Sequence, residues 1–216
     1  MHNIEFEIKG NELHIKNYPN AAKVVEIDNP RSIELKNLVL HMNDLQLAFD
    51  FLNLINSTTN EEVRTGLWYV SIMLYFKCFT NSAARKMLSE SKVYKERKDA
   101  LPVFKYFKAL RDKHLVHDEN AYSQVFVGLI VNQPDFKCKI ADVISSTIIS
   151  NTLDKSHWSS FYNLLKYALE WVSKKREALH FALAKEYEKL EYEEIIKMKT
   201  ITFTVPATDG AFKNRN

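Results

Sequence analysis

A mainly α fold, an up-and-down four-helix bundle with two small β additions, is predicted for this 216-residue chain by three observations. Long stretches place apolar residues at the 3.6-residue period of a helix. Two shorter stretches alternate apolar and polar residues around turn signals, as hairpins do. Hydrophobic residues at 46% and charged residues at 26% match an ordinary globular composition, and the length is sufficient for a full core. The expected organisation is a single domain over 1–216, with a β-hairpin and connector in 1–30, a helical bundle in 31–198 carrying a β insert near 122–149, and a strand and tail in 199–216.

In chain order, Ile4, Phe6 and Ile8 alternate, Gly10-Asn11 supply a turn, and Leu13 and Ile15 alternate on the return, which predicts a hairpin. Ile201, Phe203 and Val205 alternate again before Pro206 and are expected to join that hairpin in one small sheet, because an isolated hairpin is marginal. A first helix follows Pro30-Arg31-Ser32, with Ser32 as N-cap, and runs to about Ile55 with Leu35, Leu38, Val39, Met42, Leu45, Phe49 and Leu52 on one face. A second, from Glu61 to Phe79, turns Leu67, Val70, Leu74 and Cys78 inward. A polar, basic connector from Thr80 to Ala100 is expected to be helical in part.

Pro102 suits the first turn of a third helix, which runs into Arg111. Gln124–Val131 and Lys137–Ile149 read as two strands around the turn signal Asn132-Gln133-Pro134-Asp135. The last helix is predicted from Asp154-Lys155-Ser156 to about Met198, long enough to bend or protrude.

Several function classes are excluded. The glycines, Gly10, Gly66, Gly128 and Gly210, are too scattered for a phosphate-cradling loop, so phosphate chemistry must come from side chains. Cys78 and Cys138 fall in no ligand or disulfide spacing and are expected as reduced thiols. The apolar run Leu67–Phe79 is broken by Lys77 and is too short to span a bilayer, and the N-terminus has no signal-peptide core. The expectation is a cytoplasmic protein with no cofactor, no metal and no membrane association. A net charge of +3 permits a polyanionic partner.

The chemistry concentrates in Phe104–Asn120, FKYFKALRDKHLVHDEN. Arg111-Asp112-Lys113-His114-Leu115-Val116-His117 resembles the signature of the HEPN superfamily, an Arg, a polar residue, and a His after four to six intervening residues. The chain looks most like the abortive-infection branch, with its RDKH(L/I)xH shape, short β-rich insert and long last helix. The resemblance covers roughly Arg31 to Met198 by order of elements and Arg111 to His117 in motif detail. It implies a HEPN-like bundle, a homodimer that brings two motifs to one cleft, and metal-independent RNA cleavage, in a toxin or phage-defence effector with an antitoxin or regulatory partner. One HEPN branch carries a nucleotidylated Tyr two residues after the His; here that position is Glu119, and Tyr122 has the wrong spacing.

In that reading His117 is the acid/base, Arg111 holds the phosphate and Asp112 orients one of them, since imidazole titrates near neutrality and guanidinium stays charged. On an unbroken helix Arg111 and His117 stand about 120° apart and about 9 Å along the axis, hence the need for a second copy. Lys105, Lys108, Lys113 and His114 are candidate RNA-binding residues, interleaved with Phe104, Tyr106 and Phe107 in the mixture that attracts phosphate and stacks bases. The bland alternative makes His114 and His117 edge-of-core residues in line with Val103 and Leu110, the aromatics core, and Arg111 a surface partner of Asp118 or Glu119. Two further readings stay open: a non-catalytic RNA- or protein-binding module, and an HD-type metal phosphohydrolase using His117-Asp118 with His41 and Asp142 or Asp154.

Overall fold

The structure is a computed structural model that describes residues 5–9, 12–16, 18–117, 119–202, 205 and 207–212. It is mainly helical: β1 (Phe6–Lys9), β2 (Glu12–Ile15), α1 (Pro30–Leu54), α2 (Glu61–Lys77), α3 (Glu90–Val93), α4 (Ala100–Leu110), β3 (Ser123–Val131), β4 (Ile140–Ile149), α5 (Lys155–Tyr187) and α6 (Tyr192–Lys197). The strands make two antiparallel pairs, β1 with β2 and β3 with β4. The chain separates into two compact units, one of residues 41–81 and 87–171, the other of residues 1–40, 82–86 and 172–216.

In the second of these, β1 and β2 pair from Phe6 opposite Ile15 to Lys9 opposite Glu12, and the predicted turn Gly10-Asn11 lies outside the described residues. The described C-terminal pairing is with the connector: Thr200 bridges Val25, Glu26 N–H donates to Lys199 C=O at 2.7 Å, and Ile201 N–H to Val24 C=O at 3.1 Å. Phe203 and Pro206, which complete the predicted late strand, lie outside the described residues. Lys23 Nζ donates to the carbonyls of Ile196 and Met198, satisfying the end of α6.

Ser32 is not the cap of α1. Pro30, with its preset φ and missing N–H, takes the first helical position, so the cap falls on Asn29. Asn29 Oδ1 accepts from Ser32 N–H at 2.8 Å and Ser32 Oγ accepts from Asn29 N–H at 3.1 Å, a reciprocal capping box. The last helix is also shorter than predicted. It ends at Tyr187, and α6 starts anew behind a capping box between Glu191 and Glu194, whose carboxylates compete for the backbone N–H groups of a fresh helix start.

The other unit has an aromatic core. Trp68, Tyr75, Phe76 and Phe107 are fully buried with Phe161, Leu45, Leu52 and Ile72. Trp68 meets Phe107 and Phe161 edge to face, at ring separations of 5.8 and 5.4 Å, and its Nε1–H donates to Thr152 Oγ1 at 3.0 Å. The hydroxyls of Tyr75 and Tyr94 bond to each other, and Tyr94 also donates to Leu164 C=O. Burial holds both phenols well above their ordinary pKa. The predicted inner face of α2 is corrected here: Val70 is 44% exposed, while Trp68, Ile72, Tyr75 and Phe76 are buried. The large aromatics remove more apolar area from water than valine does and set the helix rotation. Of the predicted α1 face, Met42, Leu45 and Leu52 are buried in this unit, while Val39, which falls in the other unit, is exposed. In the connector, α3 is the one helical turn.

Candidate active site

Phe104, Phe107 and Leu110 recur at helical spacing on the buried face of α4, leaving Lys105 and Lys108 exposed. At Arg111 the helix widens. Val116 N–H reaches back five residues to Arg111 C=O at 3.0 Å, and Arg111–Leu115 forms a π turn before the chain leaves the helix. Such π turns are rare and concentrate at functional sites. The unbroken helix assumed from spacing therefore does not exist between Arg111 and His117.

Three neighbours hold Arg111, whose side chain is 19% exposed. Its Nη2 donates to Thr80 Oγ1 at 3.1 Å, its guanidinium lies 5.7 Å from the Phe76 ring centroid, and its Nε stands 2.8 Å from Asp112 Oδ1. The Nε–H is not aligned for a hydrogen bond, so charge carries the Asp112 contact. Thr80 Oγ in turn donates to Phe76 C=O at 2.8 Å, which fixes the hydroxyl with its acceptor side toward Arg111. Asp112, not Glu119, is thus the described partner of Arg111; Asp118 lies outside the described residues. Guanidinium presents five donors, and the bond to Thr80 uses one of them.

The two histidines part company. His114 is 8% exposed, its ring edge-on to Tyr69 at 6.3 Å and to Tyr122 at 5.5 Å, and its Nδ1 has no hydrogen-bond partner among the described residues. Of the four residues expected to bind RNA, His114 is thus the buried one. His117 is exposed beyond the π turn, as are Lys105, Lys108 and Lys113. No hydrogen bond or ion pair among the described residues joins His117 to Arg111. Glu119 N–H donates to Lys113 C=O at 2.9 Å.

A second polar cluster continues from His114. Burial, and next to it the neighbouring Tyr122 phenol, raise the Tyr106 hydroxyl above the ordinary phenol pKa, and the Tyr106 ring stacks on His157 at 5.2 Å and 17°. His157 Nδ1 pairs with Asp154 Oδ2, and Asp154 Oδ1 accepts from the backbone N–H groups of His157 and Ser156 at the start of α5. Those bonds, the His157 N–H first, hold the Asp154 carboxyl below its ordinary pKa. Asp154 was legible as a helix start, but nothing in the sequence tied His157 to Tyr106.

His41 is buried in α1, Asp142 is exposed on β4, and Asp154 is engaged with His157. Among the described residues no group of three or more His, Cys, Asp or Glu stands together as a metal site. Nor is any helix there long and apolar enough to cross a membrane. No protein-family model, curated protein or solved structure matches this chain.

Proposed function

We propose that this chain is a HEPN-type, metal-independent endoribonuclease built on a four-helix up-and-down bundle, acting as a homodimer in a toxin or phage-defence system. The observation that carries the reading is the π turn at Arg111–Leu115, which braces Arg111 on Thr80 and Asp112 and leaves His117 exposed beyond the helix. In this mechanism His117 takes the proton from the ribose 2′-hydroxyl or delivers one to the leaving 5′-oxygen. The 2′-oxygen attacks the adjacent phosphorus, the P–O5′ bond breaks, and a 2′,3′-cyclic phosphate remains. Arg111 meets the charge on the non-bridging oxygens, and Asp112 orients it. Lys105, Lys108 and Lys113 supply sequence-independent attraction for the RNA backbone.

The test is incubation of purified wild type, Arg111→Ala and His117→Ala with total RNA in chelator, followed by analysis of the ends. Wild type should leave cyclic-phosphate ends, and His117→Ala should cut about 10²–10⁴-fold more slowly, the usual loss of a general acid or base. Intact RNA with wild type, or unchanged cutting by both variants, overturns the assignment.

A second reading is a non-catalytic RNA- or protein-binding module. It is favoured by the depth at which Arg111 is engaged, since a guanidinium paired with Asp112 and Thr80 also serves as a structural brace. Wild type that binds RNA with steep salt dependence and never cuts it establishes this reading instead.

A further inference from the structure

Away from Arg111, the start of α4 and the middle of α5 enclose a cleft of about 120 Å³. Its apolar lining is Ala100, Val103 and Leu164, the first and last of them buried. Its polar lining is Asp99, Ser160, Asn163 and Tyr167. Sites that enclose a drug-sized ligand run to about 300–1,000 Å³, so this one suits a single planar ring system and not a whole nucleotide.

Local structure leaves the polar groups of the cleft unengaged. Asp99 stands at the N-cap position of α4, where a carboxylate ordinarily accepts from the second or third backbone N–H of the helix. Here Leu101 N–H goes to Lys98 C=O and the third residue, Pro102, has no N–H, so the Asp99 carboxylate caps nothing. Among the described residues, the Ser160 hydroxyl, the Asn163 amide and the Tyr167 hydroxyl make no hydrogen bond either. Arg97, without an ion pair among those residues, sets its guanidinium 4.9 Å from the Tyr167 ring centroid, beside the cleft.

The chemistry of this lining selects a ligand. A carboxylate only accepts hydrogen bonds, and it accepts two at once from a group that offers them side by side. Among the RNA bases guanine alone does so, through N1–H and the N2 amino group of its Watson–Crick edge. Adenine and cytosine set an acceptor nitrogen beside their amino group, and uracil flanks its N3–H with two carbonyls. Asn163 and Ser160 hold donors and acceptors for the rest of the ring, and a guanidinium at the mouth suits a phosphate. Single-stranded RNA is read in this manner, with a base splayed out and its edge hydrogen-bonded. We propose that the cleft takes a guanine base of single-stranded RNA, with Asp99 on its N1–H and N2–H and Arg97 on the adjoining phosphate. About 18 Å of helix separates Asp99 from Arg111, so the base is read some nucleotides away from the bond that is cut. The proposal rests on the ribonuclease reading for its substrate and adds a base preference to it.

The test measures binding apart from cutting. The full chain is titrated with two labelled ten-nucleotide 2′-O-methyl RNAs, one all adenosine and one with a single central guanosine; neither can be cut, because the 2′-oxygen carries no proton. Wild type should bind the guanosine oligomer about 10-fold more tightly, the scale of one bidentate base contact. Asp99→Asn should abolish the difference, and Arg97→Ala should weaken both oligomers alike, as loss of a phosphate contact does. Glu96→Gln removes a neighbouring exposed carboxylate outside the cleft and should keep the preference. Absence of binding, equal affinity of wild type for the two oligomers, or a preference that survives Asp99→Asn each overturns the inference. Cleavage of total RNA by a wild type with no guanosine preference sinks the inference alone, and a guanosine preference without cleavage sinks the ribonuclease reading alone.

Discussion

The aromatic core around Trp68 and the β3–β4 ribbon are drawn from similarly apolar stretches of sequence, yet one is sealed from water and the other is bathed in it. Trp68 touches rings from α4 and α5 and gives its single N–H to Thr152. Val127 has a single strand neighbour, Ser145 of β4, and no covering layer. Hydrophobicity therefore specifies that a surface will be covered, while topology decides whether the same chain can do it. Helices at 10 Å spacing enclose their own faces, whereas a ribbon of two strands cannot fold over itself.

The largest effect expected from breaking this contrast is on the core side. Trp68→Ala should cost about 3–5 kcal/mol, the range for deleting a fully buried aromatic, with added cost from the abandoned Thr152 hydroxyl. Urea denaturation checks it. A midpoint close to wild type would mean that the core around Trp68 is loosely packed, and the contrast with the ribbon would collapse.

A smaller effect is expected at Asp154, where the chain returns from the ribbon into α5. Its folded pKa is depressed by the His157 and Ser156 N–H groups and by the His157 side chain, so below the ordinary carboxylate range the unfolded chain binds more protons than the folded one. The stability this group contributes is present above that range and is lost as pH falls through the folded pKa. Asp154→Asn keeps a good helix cap and removes the titration. The difference in melting temperature between wild type and Asp154→Asn should be largest near neutrality and should close as the solution is acidified. A gap independent of pH would show that the side-chain cap, and not its charge, matters here.

How far the sequence reads through to this structure varies by element. The face of α4 was legible because Phe104, Phe107 and Leu110 stand against lysines, which leaves one way to turn the helix. In α2 nearly every position is apolar, so periodicity alone admitted Val70 as well as Trp68, and only packing against Phe107 and Phe161 chose between them. The insert was legible as a hairpin from its alternation and its turn residues, but its exposure was not, because a strand pattern does not say what lies above it. The candidate site was legible as a list, Arg111, Asp112 and His117, with Lys105, Lys108 and Lys113 outside. Its geometry was not, since a π turn is a widening of the hydrogen-bond ladder with no residue signature of its own. The separation of buried His114 from exposed His117 follows from that widening together with the packing of Tyr69 and Tyr122.

The smallest effect, and the one that sharpens the contrast most, is expected for Val127→Ser. In an isolated chain this side chain is already in water, so its replacement should change stability by no more than about 0.5 kcal/mol, as surface substitutions do. If a second copy covered this face, the same methyl groups would be buried and mass action would couple folding to association. The melting temperature of wild type would then rise with protein concentration, and that of Val127→Ser would rise less, the two curves meeting at high dilution. Trp68→Ala, by contrast, should lower the curve by a similar amount at every concentration, because its contacts lie within one chain. A wild-type melting temperature that ignores concentration would leave the ribbon exposed in solution as well, and its apolar face would then need an occupant other than a second copy.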